Sequence, residues 1–324
     1  MNDRKLNLII GWICFLISFI VYYLTAEPTV GFWDTGEYIT TSAKLQVGHP
    51  PGAPLYQMLG AIFSIFAFEK ENIGFIMNLM SGFASALAIS FMYWSIILIL
   101  KKITDTNEAS INKQILISGS AMVGSLAFAF TDTFWFSAVE TEVYAMATLI
   151  MAVIFYLGLR WEADMHNSRG NKWLLLICFV IGLSFGVHFM GLLVIPAIVM
   201  IYYFKNQKTI LNSTKVNPII GFFIANIIGL GILMGVFKLL LPNTLKFFSA
   251  IELLFVNNLG LPFNSGTLVA FILIVYAFYF FINYTRKKGM VRANTITLCF
   301  LFIFIGFSSW LILPIRANAD VVVN

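Results

Sequence analysis

Charge is what this chain of 324 residues most lacks. Asp, Glu, Lys and Arg make up 11% of it, against about 25% in soluble domains. Cysteine is scarce as well: Cys14, Cys178 and Cys299 each fall inside an apolar run, which excludes a disulfide framework and leaves packing as their role. No H-E-x-x-H pair or cysteine–histidine ligand cluster occurs, so no built-in zinc site is expected. A Walker A loop and a G-x-S-x-G elbow are also missing, which disfavours an ATP-driven machine and a serine hydrolase. Neither an internal repeat nor a low-complexity tract stands out.

What fills the chain instead is apolar: 60% of it is hydrophobic, with 33 phenylalanines. Successive apolar runs long enough to cross a bilayer indicate a polytopic membrane protein. The few charges are laid out with a strong bias. Fifteen of the twenty Lys/Arg fall at 4–5, 101–113, 160–172, 205–215 and 286–292, accompanied by only five acids, Asp3, Asp105, Glu108, Glu162 and Asp164. The intervening connections hold the other five bases and ten acids. By the positive-inside rule the basic side is cytoplasmic, and the net charge of +5 needs no nucleic acid to explain it. The N-terminal run is longer than a signal-peptide core and no A-x-A site follows, so it reads as a retained first span.

Spans are expected at about 6–26, 75–100, 115–130, 143–159, 173–187, 190–204, 218–241, 267–284 and 295–313. The run 172–205 is basic at both ends and too long for one crossing, so it is divided into two short spans with an outer bend at Gly186-Val187-His188. The fold class is therefore all-α: one helical membrane domain over residues 1–324, with nine spans and a long first outer loop, 27–74. Within that loop "LYQMLGAIFSIFAF" (55–68) is too short to cross and suits an interfacial or re-entrant helix.

The same loop carries "GFWDTGEYITTSAKLQVGHPPGAP", residues 31–54, where Asp34, Glu37, Lys44 and His49 concentrate scarce charge. Glu140 and Glu142 lie in the second outer connection, His188 at the third bend and Arg316 after the last span. Ionisable groups near membrane depth are costly and face a cavity or a partner. A set drawn from four outer connections points to one outward-facing site. Each member also has a plainer reading. Asp34 can cap a helix starting at Thr35. Glu140 and Glu142 can favour the N-terminus of span four, and their spacing lets only one enter a site if the segment is helical. His188 can be structural, and Arg316 can snorkel, as Lys238 and Lys246 do. "HPPGAP" has a conformational task in any case, because its prolines fix φ and Gly52 permits a strained turn.

The motifs "FWDTGEYITTSAKLQVGHPPGAPLY", "FWFSAVETEVYAM" and "GVHFMGLLVIPA", with the terminal "LPIRA", resemble the bacterial glycosyltransferase family 117. That family is a GT-C membrane group related to protein O-mannosyltransferases. The resemblance implies a GT-C-type helical bundle in a bacterial inner membrane, with a periplasmic site. It also implies transfer of a sugar, mannose, from a polyprenyl-phosphate donor to Ser/Thr hydroxyls of exported proteins, with inversion. Asp34 becomes the general base. Glu37, Lys44, His49, Glu140, Glu142, His188 and Arg316 become substrate-binding groups, with no metal and no tightly bound cofactor. Family members usually continue into further spans and a large soluble region, so this chain corresponds to the N-terminal membrane part. Two other readings compete. A GT-C enzyme can act on a lipid or glycan acceptor, and a lipid or small-molecule transporter would share the hydropathy. A transporter places polar groups at mid-span, where this sequence has almost none.

Overall fold

The structure is a computed structural model of the chain. It describes residues 3–104, 111–210, 217–317 and 319, with the backbone alone for 207–210. Asp105, Glu108 and the part of 205–215 beyond residue 210 lie outside the described residues. Every regular element among the described residues is helical. Among the described residues, seven helices are long and apolar enough to cross a membrane, or eight if the bent pair Ile111–Ala129 and Asp132–Val139 forms one span. The expected nine segments all have a helical counterpart, but Asn171–Ser184, with 14 residues, is short of a full crossing.

Two units divide the chain: Met1–Leu192 with Ile305–Asn324, and Leu193–Phe304. The first holds α1 (Asp3–Thr25), the loop helices α2 (Thr35–Ala43) and α3 (Pro54–Ser64), α4 (Ile73–Ile103), α5 (Ile111–Ala129), α6 (Asp132–Val139), α7 (Val143–Asp164) and α8 (Asn171–Ser184). The second holds α9 (Ile195–Ile210), α10 (Pro218–Met234), α11 (Leu241–Leu253), α12 (Ser265–Lys287) and most of α13 (Val291–Phe307). The short α14 (Ile312–Ala317) returns to the first unit.

In the first unit α4 is the central helix, packed against α1, α5, α6 and α7. Its buried positions are dominated by small residues, Ser81, Gly82, Ala84, Ser85, Ala86, Ala88 and Ser90. Lipid is as apolar as leucine, so close backbone approach through small side chains replaces the hydrophobic effect as the packing force. A Cβ at Gly82 would stand 3.3 Å from both the Ala138 carbonyl and the Tyr22 Cβ. Hydrogen bonds inside this apolar bundle are long-range. The Asn7 Oδ1 accepts from the Tyr93 hydroxyl (3.1 Å) and from Ser118 Oγ (3.0 Å), which joins α1, α4 and α5. The Tyr22 hydroxyl donates to the Ala129 carbonyl at 2.8 Å, next to the break where α5 turns by 67° into α6.

One expectation in the second unit is corrected. Residues 242–258, beyond the end expected for the span at 218–241, continue the helix, so that Pro218–Asn258 runs helically for 41 residues. Pro242 would normally interrupt such a run by removing a donor and crowding the preceding turn. Here the π-helical turn Gly235–Leu240 immediately precedes it and Pro242 falls in the first turn of α11, so the altered ladder absorbs the missing bond.

The connection between fold and site runs through Asn78 on α4, which has no exposed surface. Its Nδ2 donates to the carbonyls of Glu27 (2.6 Å) and Thr29 (3.0 Å), and its Oδ1 accepts from Thr141 Oγ1 at 2.5 Å. Replacing it by leucine strands three polar groups, each costing about 1–3 kcal/mol when buried and unpaired. Asn78→Leu is therefore expected to lower the unfolding temperature of the detergent-solubilised protein markedly. Asn78→Asp, which keeps the acceptor for Thr141, should fall between it and the parent. Coincident melting of the leucine variant and the parent would refute the role.

Candidate functional site

The first loop leaves α1 and is held against the α6–α7 connection, with the Glu27 N–H donating to the Val139 carbonyl at 3.0 Å. Gly31 passes directly over Glu140: a Cβ there would come within 2.9 Å of its carboxylate. Trp33 then adopts a left-handed φ of 60°, an unfavourable conformation for a bulky residue. It precedes Asp34 at the N-cap position of α2. Capping by the Asp34 side chain does not occur, because φ −80° and ψ 0° are helical and not the extended values from which a cap reaches back. Its carboxylate makes no cap hydrogen bond, is 57% exposed, and pairs at 4.0 Å with His49 Nε2.

One turn into α2, Glu37 is bound at both oxygens by one residue. Its Oε1 accepts the His49 backbone N–H at 2.6 Å, and its Oε2 lies 2.9 Å from His49 Nδ1. The other ring nitrogen, Nε2, lies 4.0 Å from Asp34 Oδ2. "HPPGAP" thus has two uses. Gly52, at φ +81°, donates to the His49 carbonyl at 2.8 Å and closes the turn that presents His49. Pro54 opens α3, whose Leu55 and Tyr56 N–H groups both donate to the Gly186 carbonyl, at 2.8 and 3.1 Å. The His188 bend and the first loop are thereby tied together.

Glu140 and Glu142 flank the buried Thr141 in an extended segment, not a helical one. Extended chain alternates its side chains with period two. With Thr141 directed at Asn78, both glutamates project away from α4, which corrects the expectation that only one could enter a site. Glu140 meets Gly31, while Glu142 interacts electrostatically with Asp34 and His49. Burial, then the Asp34 and Glu140 charges, push the Glu142 carboxyl up to about 7, against the pull of the Val143 N–H and His49. Burial and the Glu27 charge also raise Glu140.

Two tyrosines that the charge pattern did not disclose complete the surroundings. Tyr38 lies 6.1 Å from the His49 ring and 5.3 Å from that of Tyr56. Burial, followed by the charges of Glu142, Asp34 and Glu37, raises its hydroxyl pKa. Tyr144 meets the His188 ring edge-on at 5.3 Å. His188 Nδ1 accepts the Met190 N–H at 3.1 Å, so a neutral ring carries its proton on Nε2. The signals for these residues were positional: Tyr38 follows Glu37, and Tyr144 follows Glu142 by two.

Lys44 and Arg316 are not brought into this group. Among the described residues neither forms an ion pair with Asp34, Glu37 or Glu142. Lys44 caps the far end of α2, ten residues and about 15 Å from Asp34 at 1.5 Å per residue. Arg316 packs with Leu45, Gln46, Val47, Pro54 and Gln57 on another flank of the same loop. Among the described residues, Asp34, Glu37 and His49 offer ligand atoms that all lie within 4.8 Å of one another, a set able to hold a cation.

The family described as "Protein O-mannosyl-transferase TMEM260 N-terminal domain" matches residues 34–211, more than half of the chain and from Asp34 onward. The chain belongs to this family. The match includes every candidate residue except Arg316. Within the TMEM260 group, the "Protein O-mannosyl-transferase tmem260" of Dictyostelium discoideum is 24% identical over 210 residues, covering 61% of this chain and 24% of the relative. The "Protein O-mannosyl-transferase TMEM260" of Mus musculus is 27% identical over 167 residues, 51% of this chain and 21% of the relative. This chain therefore spans about a quarter or less of those relatives. No solved structure matches. The resemblance to O-mannosyltransferase-related membrane proteins is borne out at this level.

The histidines His49 and His188 are perturbed in opposite directions. The Glu37 hydrogen bond, opposed by desolvation and helped by the acidic neighbours, raises His49. Burial lowers His188. Burial also pushes Glu37 upward, but His49 as donor and charge outweighs this and holds it low. The pair's stabilisation is present above the ordinary glutamate range, lost as pH falls through the depressed Glu37 value, and lost again as pH rises through the elevated His49 value. Histidine-selective NMR of EDTA-treated protein should show His49 releasing its proton at higher pH than His188, and Glu37→Gln should bring the His49 midpoint down. The reverse order of titration would contradict the geometry.

Proposed function

We propose that this chain is the membrane part of a glycosyltransferase that moves a sugar, mannose, from a polyprenyl-phosphate donor to a Ser/Thr hydroxyl of a protein. The site lies on the outer face of a bacterial inner membrane, with the basic connections cytoplasmic. Similarity to proteins named O-mannosyl-transferases supports the reaction class. The observation that carries the residue assignment is the Asp34 carboxylate, uncapped and exposed beside Glu37, His49 and Glu142.

The chemistry follows from that carboxylate. Asp34 accepts the proton of the acceptor hydroxyl as its oxygen bonds to the anomeric carbon. The bond from that carbon to the donor phosphate breaks on the opposite side, so configuration inverts and polyprenyl phosphate departs. Glu142, poised between its two protonation states near neutral pH, can both accept from and donate to sugar hydroxyls. Tyr38 lies beside the His49 ring and within electrostatic reach of Tyr144, and both hydroxyls offer further hydrogen-bond partners. No tightly bound cofactor enters the scheme.

Transfer from polyprenyl-phosphate mannose to a Ser/Thr peptide, measured with membranes containing the full chain, tests this. Asp34→Asn should lose about 10²–10⁴-fold in rate, the usual range for removing a general base. Glu142→Gln should lose less, because it retains a hydrogen-bonding amide. Equal transfer by the parent and Asp34→Asn would refute the assignment. Modification of a lipid or glycan with the peptide untouched would refute the acceptor.

A further inference from the structure

Asp34, Glu37 and Glu142 all act on the His49 imidazole, with which Asp34 and Glu37 form ion pairs. Three carboxylates facing one imidazole repel an approaching phosphate. Lys44 at the far end of α2 and Arg316 on the other flank of the loop do not offset this. A site that accepts a sugar phosphate needs positive charge brought to it.

His49 is held in the manner of a metal ligand. Glu37 spends one carboxylate oxygen on the His49 backbone N–H and the other on Nδ1, fixing the ring from behind. Ligating imidazoles characteristically give their other nitrogen to a carboxylate in this way, which sets the tautomer and leaves the opposite lone pair for the ion. That opposite nitrogen, Nε2, looks toward Asp34 Oδ2 across 4.0 Å. The gap is too long for a hydrogen bond. Two ligands each about 2.1 Å from one cation stand roughly 3.0–3.4 Å apart at octahedral or tetrahedral angles, so these two groups need close by only about 1 Å or less to share an ion.

We propose that Asp34 Oδ2 and His49 Nε2 bind a divalent cation of the Mn²⁺ or Zn²⁺ class, with Glu37 as the carboxylate that orients the imidazole. Mixed imidazole and carboxylate ligands suit these ions better than Ca²⁺ or Mg²⁺, which favour oxygen alone. The remaining coordination positions open to solvent beside Glu142, where water or a phosphate oxygen completes the shell. Asp34 Oδ1 stays available to the acceptor hydroxyl. The assignment of phosphate as the ion's ligand rests on the glycosyl-transfer reading; the binding of the ion does not. The spacing 34, 37, 49 matches no ligand motif, so the set emerges only when the His49 turn folds back on α2.

The test is titration of Mn²⁺ into metal-stripped full-length chain in detergent, following loss of the free-ion EPR signal, with competition by Zn²⁺. One saturable site per chain is expected. Asp34→Asn and His49→Ala should each weaken it at least tenfold, and Glu37→Gln by about 10- to 100-fold. His166→Ala, on an exposed residue elsewhere, should leave it unchanged. Asp34 and His49 are more than a third exposed, so these variants should keep their fold, which circular dichroism checks before each titration. Absence of saturable binding, or binding unmoved by the Asp34 and His49 variants, overturns the proposal. Ion binding without sugar transfer would leave the cation site standing and reject the enzymatic reading; transfer without ion binding would do the opposite.

Discussion

The carboxamide of Asn78 is the point at which bundle and site become one object. A buried polar side chain in the second turn of α4 can persist in an apolar setting only if its hydrogen-bonding capacity is met. Asn78 meets it with the Glu27 and Thr29 carbonyls on one side and the Thr141 hydroxyl on the other. Those partners begin the loop that carries Asp34 and form the middle of the segment that carries Glu140 and Glu142. Satisfying one buried amide therefore sets the approach of two chain segments far apart in sequence.

That approach explains the electrostatics. Extended backbone at 140–142 turns both glutamates away from α4, and Gly31 lets the first loop lie against Glu140 without a side chain in the way. Glu142 is then half-buried within reach of Asp34, and its proton affinity rises because burial and like charge both oppose ionisation. On the other side of Asp34 the His49 turn supplies a ring already fixed by Glu37. The result is one exposed carboxylate between a carboxyl inclined to keep its proton and an imidazole inclined to gain one.

Much of this was legible beforehand, for identifiable reasons. Crossing a bilayer needs length and apolarity, both of which are properties of a continuous segment, so each expected span has a helical counterpart. Asp34, Glu37, His49 and Glu142 stood out because ionisable groups are rare in such a chain. Misreadings arose where the local backbone departs from the commonest state. Glu140 and Glu142 were judged on helical spacing but sit in extended chain, and the span expected to end at about 241 is carried onward past Pro242 by a π-turn. Asn78, Tyr38 and Tyr144 passed unremarked because an uncharged polar residue in a helix carries no periodic or charge signal of its own.

Sequence alone determined that the chain is a multi-pass helical membrane protein and which scarce charged residues merit attention, since hydropathy and charge count act along the chain. Tertiary structure decided which of them meet. Lys44 shares a loop with Asp34 yet ends at the opposite pole of α2, while Glu142, more than a hundred residues away, arrives beside it. Proximity of that kind follows from helix packing through small residues and from the need to satisfy buried polar groups, and neither is written in the spacing of the residues brought together.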